Sequence, residues 1–378
     1  MRKDWEYKKL GEVANVVMGQ SPDGSNVNNE NGMEFHQGKI NFGEQFLMKS
    51  DCFTTQVTKV AEKGSILLCV RAPIGIINIT DRDICIGRGL CAIKEKTEVD
   101  NLFLYYYLLN KKLYFEKNST GSTFKAISSK VVLNTPIFLP PKPTQLAIVA
   151  ELDKLNEMIR LKKQQLEDYD QLAQSIFYEM FGDPVENEKG WEVKKYGDLF
   201  TIGSGGTPSK AKEEYWNNGD IPWIGSNMCQ NRIIYKTDGK YITKEGLNNS
   251  SAKLLMPGTI LVALVGATIG KVALLKTETT TNQNIAFIKV NETKEFMPEY
   301  VYYFLMNQYN EFLNIGNGNF KMANLSFIKG LFITKAPLPL QQQFAARIEA
   351  IERQKQQVSE TIKDLETLLA SRMQYWFD

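Results

Sequence analysis

Apolar residues recur at alternating spacings of four and three over two long stretches of the chain, 140–183 and 336–378, and this spacing predicts two helices. In the first stretch the inward positions are Ile148, Leu152, Leu155, Ile159, Lys162, Leu166, Tyr169, Ala173, Ile176 and Met180. In the second they are Phe344, Ile348, Ile351, Lys355, Val358, Ile362, Leu365, Leu369, Arg372 and Trp376. A mean period of about 3.5 is the signature of a supercoiled seam. Prolines stand just before each helix, and neither seam is interrupted by Gly or Pro. At ~1.5 Å per residue such a helix extends roughly 50 to 60 Å, the dimension of a rod or spacer.

The two stretches are copies of one another. Pro141, Pro143, Gln145, Ser175 and Phe181 fall on Pro337, Pro339, Gln341, Ser371 and Phe377, always 196 residues apart. The duplication extends beyond the helices: Trp5-Glu-Tyr-Lys-Lys-Leu-Gly11 is repeated as Trp191-Glu-Val-Lys-Lys-Tyr-Gly197, an offset of 186 that continues from Gly19, Ser21 and Pro22 to Gly205, Thr207 and Pro208. Gly64-Ser-Ile-Leu-Leu-Cys-Val70 matches Gly258-Thr-Ile-Leu-Val-Ala-Leu264 at 194, and Tyr105-Tyr106 matches Tyr302-Tyr303 at 197. Insertions in loops account for the drift, because loops absorb them and paired strands do not. Each half is therefore one globular module followed by one long helix.

Within the modules, β-branched apolar runs at 66–70, 75–79, 260–265 and 271–275 lie between Gly, Pro and Asp turns and predict short strands. The segments 101–113 and 298–313 predict amphipathic helices lined with Tyr, Phe and Leu. Gly182-Asp-Pro-Val-Glu-Asn-Glu-Lys-Gly190 is a polar linker that ends the first rod.

With 378 residues there is material for two or three domains with cores of their own. No apolar run approaches the ~18 residues of a membrane span, and the charged start of the chain is unlike a signal peptide, so a soluble, cytoplasmic protein is expected, with no membrane partner. Five cysteines without a CxxC pair and a single histidine, His36, argue against a zinc site and against histidine base catalysis. Cys69, Cys85 and Cys91, in or beside apolar runs, read as small buried hydrophobes. Gly266-Ala-Thr-Ile-Gly270-Lys271 fails as a phosphate loop: the glycines are one residue too close, and Val272 stands where Ser or Thr would hold magnesium. Gly203-Ser-Gly-Gly206 lacks the rest of a dinucleotide-binding unit, and no nucleophile elbow or paired carboxylates are present. A non-catalytic protein is expected.

Polar loops recur at matching places in both halves. Gly38-Lys39-Ile-Asn41 stands opposite Gly225-Ser226-Asn227, Gly87-Arg88-Gly89 opposite Asn282-Gln283-Asn284, and Gly121-Ser122-Thr123-Phe-Lys125 opposite Asn317-Gly-Asn319-Phe-Lys321. Arg holds guanine bidentately, Asn and Gln hold adenine in the same way, and Lys with Ser or Thr binds phosphate. Lys39, Asn41, Arg88, Ser122, Thr123, Lys125, Ser226, Asn227, Asn282, Gln283, Asn284, Asn319 and Lys321 are thus candidate DNA-binding residues, although the same composition also suits solvated turns. Lys162 and Lys355, polar positions within the seams, either fix register or reach out to solvent.

In this layout the chain resembles, over its whole length, the specificity subunit of a type I restriction-modification system. The resemblance rests on the two Trp-Glu-x-Lys-Lys-x-Gly openings, on Pro140-Pro-Lys-Pro-Thr-Gln-Leu-Ala-Ile148 and Ala336-Pro-Leu-Pro-Leu-Gln-Gln-Gln-Phe344 leading into the helices, and on Pro257-Gly-Thr-Ile-Leu261, Thr268-Ile-Gly-Lys271 and Thr281-Asn-Gln-Asn284. It implies an α+β fold: two mixed, mostly β target-recognition domains alternating with two long helices that form an antiparallel coiled coil, a pseudo-twofold duplication. The domains expected are a first target-recognition domain at 1–143, a spacer helix at 144–183, a linker and second target-recognition domain at 184–339, and a second spacer helix at 340–378.

The resemblance further implies that each domain reads half of a split, asymmetric sequence in double-stranded DNA. It implies two modification subunits, which carry S-adenosylmethionine and methylate adenine, and restriction subunits that use ATP and Mg; this chain itself would hold no cofactor and no metal. The first half departs from the family wording, with Gly87-Arg-Gly89 in place of Asn-Gln-Asn, so the family assigns no base to either loop. A coiled-coil adaptor with protein-binding ends is the alternative, suggested by the long rods and the net charge of only +2.

Overall fold

The computed structural model describes residues 5–121, 125–237, 239–291, 294–315 and 322–378. The chain divides into two compact units, of which the first is discontinuous in sequence. One comprises Met1–Lys163 with Glu360–Asp378, the other Gln164–Ser359.

In the first unit a four-stranded antiparallel sheet runs in the order Ala14–Met18, Leu90–Glu95, Ile66–Cys69, Ile77–Ile79. A second sheet of short strands has Met33–His36 parallel to Ile84–Ile86, and Glu6–Lys9 pairs with Pro136–Leu139. The second unit repeats the plan with Thr201–Ser204, Ile285–Lys289, Thr259–Ala263 and Val272–Leu275, extended by Arg232–Ile234. Ile221–Ile224 there runs parallel to Thr280–Thr281, and Val193–Lys195 pairs with Phe332–Thr334. The predicted strands are all present: Ile66–Cys69, Ile77–Ile79 and Val272–Leu275 lose one or two residues where the run meets a turn, and Thr259–Ala263 starts one residue before and ends two before the predicted 260–265. The fold is α+β, with the same module built twice.

The helical segments differ from the amphipathic expectation. The first is broken into Asn101–Leu109 and Lys112–Lys117. In the longer piece six successive residues, from Phe103 to Leu108, are buried. The sheet covers one side of this helix and the long helices the other, so no polar face is required. Asp100 caps it, accepting from the N–H groups of Leu102 and Phe103 at 3.0 and 3.1 Å. Pro298–Asn307 and Tyr309–Leu313 occupy the same place in the second unit.

The long helices span Lys142–Phe181 and Leu338–Phe377, 40 residues each. Both begin two residues before the predicted 144 and 340, because a proline in the first turn lacks only an N–H that would have had no partner. The first stops at Gly182, whose φ of +74° suits a left-handed cap, and the Gly182 N–H donates to the Tyr178 carbonyl at 2.8 Å. Each helix is fastened to its module by a buried glutamine. Gln145 Nε2 donates to the carbonyls of Glu98 and Pro140, and its Oε1 accepts from the Asp100 N–H. Gln341 makes the same three bonds, to Glu295, Ala336 and Met297.

Seam residues Ile148, Leu152, Leu155, Ile159, Ile348, Ile351, Val358, Ile362 and Leu365 are buried, and Leu166 is half-buried. At the C-terminal end of each helix the seam shifts by one residue. Phe177 and Phe181, not Ile176 and Met180, are the buried pair, and Met373 and Phe377 replace Arg372 and Trp376. There the helix packs against a module core, and the Phe181 ring lies tilted against Tyr300 and edge-on to Phe344, with ring centroids 4.7 and 5.3 Å away. Met373 and Phe377 likewise complete the first unit's core beside Phe103, Tyr107 and Leu152.

Inside each unit the two helix segments run antiparallel. In the first, Glu151 binds Arg372 and accepts from Trp376 Nε1 at 2.9 Å, while Lys163 approaches Glu366 at 3.6 Å. In the second, Lys355 Nζ meets Asp170 at 2.6 Å and Glu352 at 2.9 Å. Burial opposes the charge on Lys355, but the two carboxylates overcome it and hold the pKa above the usual lysine value. Lys355 thus makes a directional cross-helix pair, the geometry expected of a register-fixing residue.

Candidate nucleic-acid interface

The polar loops gather at one end of each module's sheet, held there by a common set of backbone hydrogen bonds. In the first unit Gly19 N–H donates to Leu90 O at 2.9 Å, Gln20 to Ile86 at 3.0 Å, Gly87 to His36 at 2.7 Å, Val70 to Gly89 at 2.9 Å, and Ile127 to Val70 at 3.0 Å. The second unit repeats all five: Gly205 to Ile285 at 3.2 Å, Gly206 to Thr281 at 2.8 Å, Asn282 to Ile224 at 3.1 Å, Leu264 to Asn284 at 2.9 Å, and Ala323 to Leu264 at 2.9 Å. Gly19 and Gly205 are required by this closeness. A Cβ on either would stand 2.2 Å from a backbone carbonyl oxygen, of Gly87 in one unit and Thr281 in the other.

Side chains then differ on a common frame. Lys39 and Asn41 bound the 3-10 turn Lys39–Asn41; Lys39 is exposed, while Asn41 is half-buried and its carbonyl accepts from Met48 N–H at 2.8 Å. Arg88 is exposed at the tip of its loop, with its N–H on Ser21 Oγ at 3.3 Å. Lys125 is exposed beside Ala126, which is bridged to Arg71. The second unit places half-buried Ser226 and exposed Asn227 in the turn Ser226–Met228. Ser122, Thr123, Asn319 and Lys321 lie outside the described residues.

The triplet 282–284 does not present three equivalent amides. Asn282 Oδ1 accepts from the Asn284 N–H at 3.0 Å and so shapes the turn, and Asn284 is half-buried. Gln283 alone is exposed, its Oε1 accepting from Thr207 Oγ1 at 2.6 Å. One lone pair of the Asn282 amide oxygen is thus already used by its own turn.

Reading the sequence by residue type overlooked Arg71, an exposed cation that the Ala126 bridge sets beside the Arg88 and Lys125 loops. It also overlooked the hydroxyls of Ser21 and Thr207 as loop anchors. The available signals were a charged residue closing a buried strand run, and the repeated Gly-x-Ser/Thr-Pro.

An ion cluster steadies the strand that leads into the Lys39 turn. Arg82 holds Glu34 with two bonds of 2.6 Å, Ser50 N–H donates to the same carboxylate at 2.7 Å, and His36 Nε2 lies 2.9 Å from it. Burial works to raise the Glu34 pKa, but Arg82, Ser50 and His36 outweigh it and bring it to about 2. Burial pushes the His36 pKa down, so the ring is neutral. Burial also drives the thiols of Cys69, Cys91 and Cys229 up to about 12, marking them as inert core residues. The charge of Lys39 works against that shift at Cys69. Among the described residues no group of His, Cys, Asp and Glu is arranged to hold a metal ion, and no helix is long and apolar enough to cross a membrane.

The family model for the type I restriction modification DNA specificity domain matches this chain twice, over residues 2–168 and 188–367. The chain belongs to that family. The double match reproduces the internal duplication, and it decides for the DNA-specificity reading over the coiled-coil adaptor. The type I restriction enzyme MjaX specificity subunit of Methanocaldococcus jannaschii is 38% identical over 178 residues, covering 46% of this chain and 42% of that protein. The MjaIX specificity subunit from the same organism is 24% identical across 92% of this chain and 87% of its own length. Among solved structures, a type I restriction-modification S subunit from M. genitalium shares the fold at a TM-score of 0.56 with 15% identity, covering 99% of this chain and 96% of that one. Specificity domains of this family therefore occupy both halves, each with its loop cluster.

Proposed function

We propose that this chain is the DNA-reading, non-catalytic subunit of a cytoplasmic type I restriction-modification complex, and that its two loop clusters read the two unlike halves of an asymmetric, bipartite target. The observation that carries this is the set of five backbone hydrogen bonds repeated in both units beneath different side chains. Frames that coincide while their readers differ fit two half-sites of different sequence. The helix pair, to which both halves of the chain contribute, keeps the number of unread base pairs constant and docks two modification subunits. Those subunits supply S-adenosylmethionine and the adenine methylation chemistry; restriction subunits supply ATP- and Mg-dependent cleavage.

Lys39, Arg71, Arg88 and Lys125 give the first cluster a cationic character suited to guanine edges and phosphates. Asn227 and Gln283 give the second an amide character. The formal charge of the whole chain is only +2, so partner subunits contribute much of the phosphate affinity, and binding by the chain alone weakens steeply with salt. Methylome sequencing of the host with and without this gene tests the reading. One asymmetric, two-part adenine motif should vanish with the gene; an unchanged methylome, or loss of a continuous palindrome, refutes it.

A further inference from the structure

Ile40 stands at the centre of the turn Lys39–Asn41 and is 90% exposed, more than any other large apolar side chain on the surface of the described residues. An isolated apolar residue in water is ordinary by itself. Its setting distinguishes this one. The turn is ordered: Phe42 N–H donates to Lys39 O at 3.0 Å, and Met48 N–H to Asn41 O at 2.8 Å. It adjoins the Arg88 loop, because the Gln37 carbonyl oxygen lies only 2.0 Å from where a Cβ on Gly89 would be.

The second unit builds the same turn at the same place. Gly38 precedes Lys39–Asn41 and Gly225 precedes Ser226–Met228, each following a strand paired in parallel with the strand that leads into the next loop. The central residue opposite Ile40 is therefore Asn227, also exposed. An amide at this position can hydrogen-bond a base edge; an isoleucine can offer only apolar surface. The 5-methyl of thymine is the apolar group that a base pair displays in the major groove.

Resting on the DNA-reading function proposed above, we infer that Ile40 is a specificity-determining residue that packs on a thymine methyl in the first half-site, where its counterpart Asn227 hydrogen-bonds a base in the second. The full-length chain selects duplexes from a random library at low ionic strength, and Gln283→Ala identifies which half belongs to which unit. Each thymine of the first half-site, on both strands, is then replaced by uracil, and affinities are measured for the wild type and for Ile40→Ala. Ile40 makes no core contact, so thermal melting of Ile40→Ala should match the wild type. One thymine-to-uracil change should weaken the wild type about fourfold, the worth of one buried methyl, and leave Ile40→Ala unaffected. Absence of any responsive thymine, or an equal response in Ile40→Ala, overturns the inference. A loss in Ile40→Ala that is independent of the methyl group overturns it in favour of a non-specific wedge. If the wild-type chain selects no sequence at all, the DNA-reading function fails; selection without methyl dependence removes Ile40 alone.

Discussion

Replacing Gln145 by Leu tests whether the module and its helix are joined by the glutamine clamp. Gln145 is 1% exposed and satisfies three backbone groups: the Glu98 carbonyl at 3.2 Å, the Pro140 carbonyl at 2.9 Å and the Asp100 N–H at 2.8 Å. Leucine fills the same space and satisfies none of them. An orphaned buried donor costs about 1–3 kcal/mol, and each deprived carbonyl adds up to about 1 kcal/mol. The gain from burying a more apolar side chain returns roughly 1–2 kcal/mol. A net destabilisation of about 1–2 kcal/mol remains, which in a unit of about 180 residues lowers Tm by roughly 2–8 °C. Because the chain holds two units, hydrogen exchange is the sharper assay: the Asp100 amide should lose protection in Gln145→Leu, while amides of the second unit keep theirs. Gln341→Leu should reverse the pattern, exposing Met297, and Gln164→Leu, on the helix surface, should change stability by less than about 0.5 kcal/mol. A Tm within about 2 °C of wild type, together with an unchanged Asp100 amide, would refute the clamp.

Gln283→Ala should relax the second half-site only, with little change in Tm, whereas Asn282→Ala removes the turn acceptor and should also cost about 1 kcal/mol of stability; methylation-motif sequencing and thermal melts separate the two. Gly205→Ala forces a Cβ against Thr281 and should abolish second-half recognition while first-half recognition persists, as read by binding to half-site-scrambled duplexes. Glu34 has a folded pKa depressed to about 2 from 4.5, so its stabilising contribution is present above 4.5 and is lost as pH falls toward 2. Acid unfolding of the first unit should therefore be steeper across that window in wild type than in Glu34→Gln, and equal slopes would exclude the linkage. A chain ending at Asp183 lacks Met373 and Phe377 over the Phe103–Tyr107 surface; it should dimerise through the equivalent Phe177 and Phe181 of a second copy and methylate a palindrome with its partner, and a monomer by light scattering would oppose this.

The helices and the duplication were legible because period and offset survive in the sequence however the chain folds. Strand runs such as 66–70 were legible for the same reason, since burial on both faces demands uninterrupted apolar residues. The seam shift at Phe177 and Met373 was not, because a strict heptad assumes one helical partner and here the last turns face a module core. Nor was the chain exchange that places residues 360–378 with the first unit, which depends on tertiary pairing. At the loops, residue type could not show that Asn282 Oδ1 holds its own turn while Gln283 is exposed, or that Arg71 and Ile40 stand exposed beside the same loops. Whether a side chain is a reader depends on which of its atoms remain after the fold has used what it needs.

That distinction explains how one frame supports unlike readers. The five bonds that position each loop cluster join main-chain atoms, and the glycines at 19 and 205 matter for the atoms they lack. Placing Arg88 where its counterpart is Gln283, or Ile40 where it is Asn227, therefore changes none of these five main-chain bonds; only the exposed bond from Thr207 Oγ1 to Gln283 is lost, and surface substitutions of this kind cost about 0.5 kcal/mol or less. Residues with structural side-chain duties, such as Gln145, Gln341, Glu34 and Asn282, lack that freedom. The physical division between backbone-held frame and unencumbered side chain thus predicts where recognition can be altered without loss of the fold: positions 39, 40, 71 and 88 in the first unit, and 226, 227 and 283 in the second.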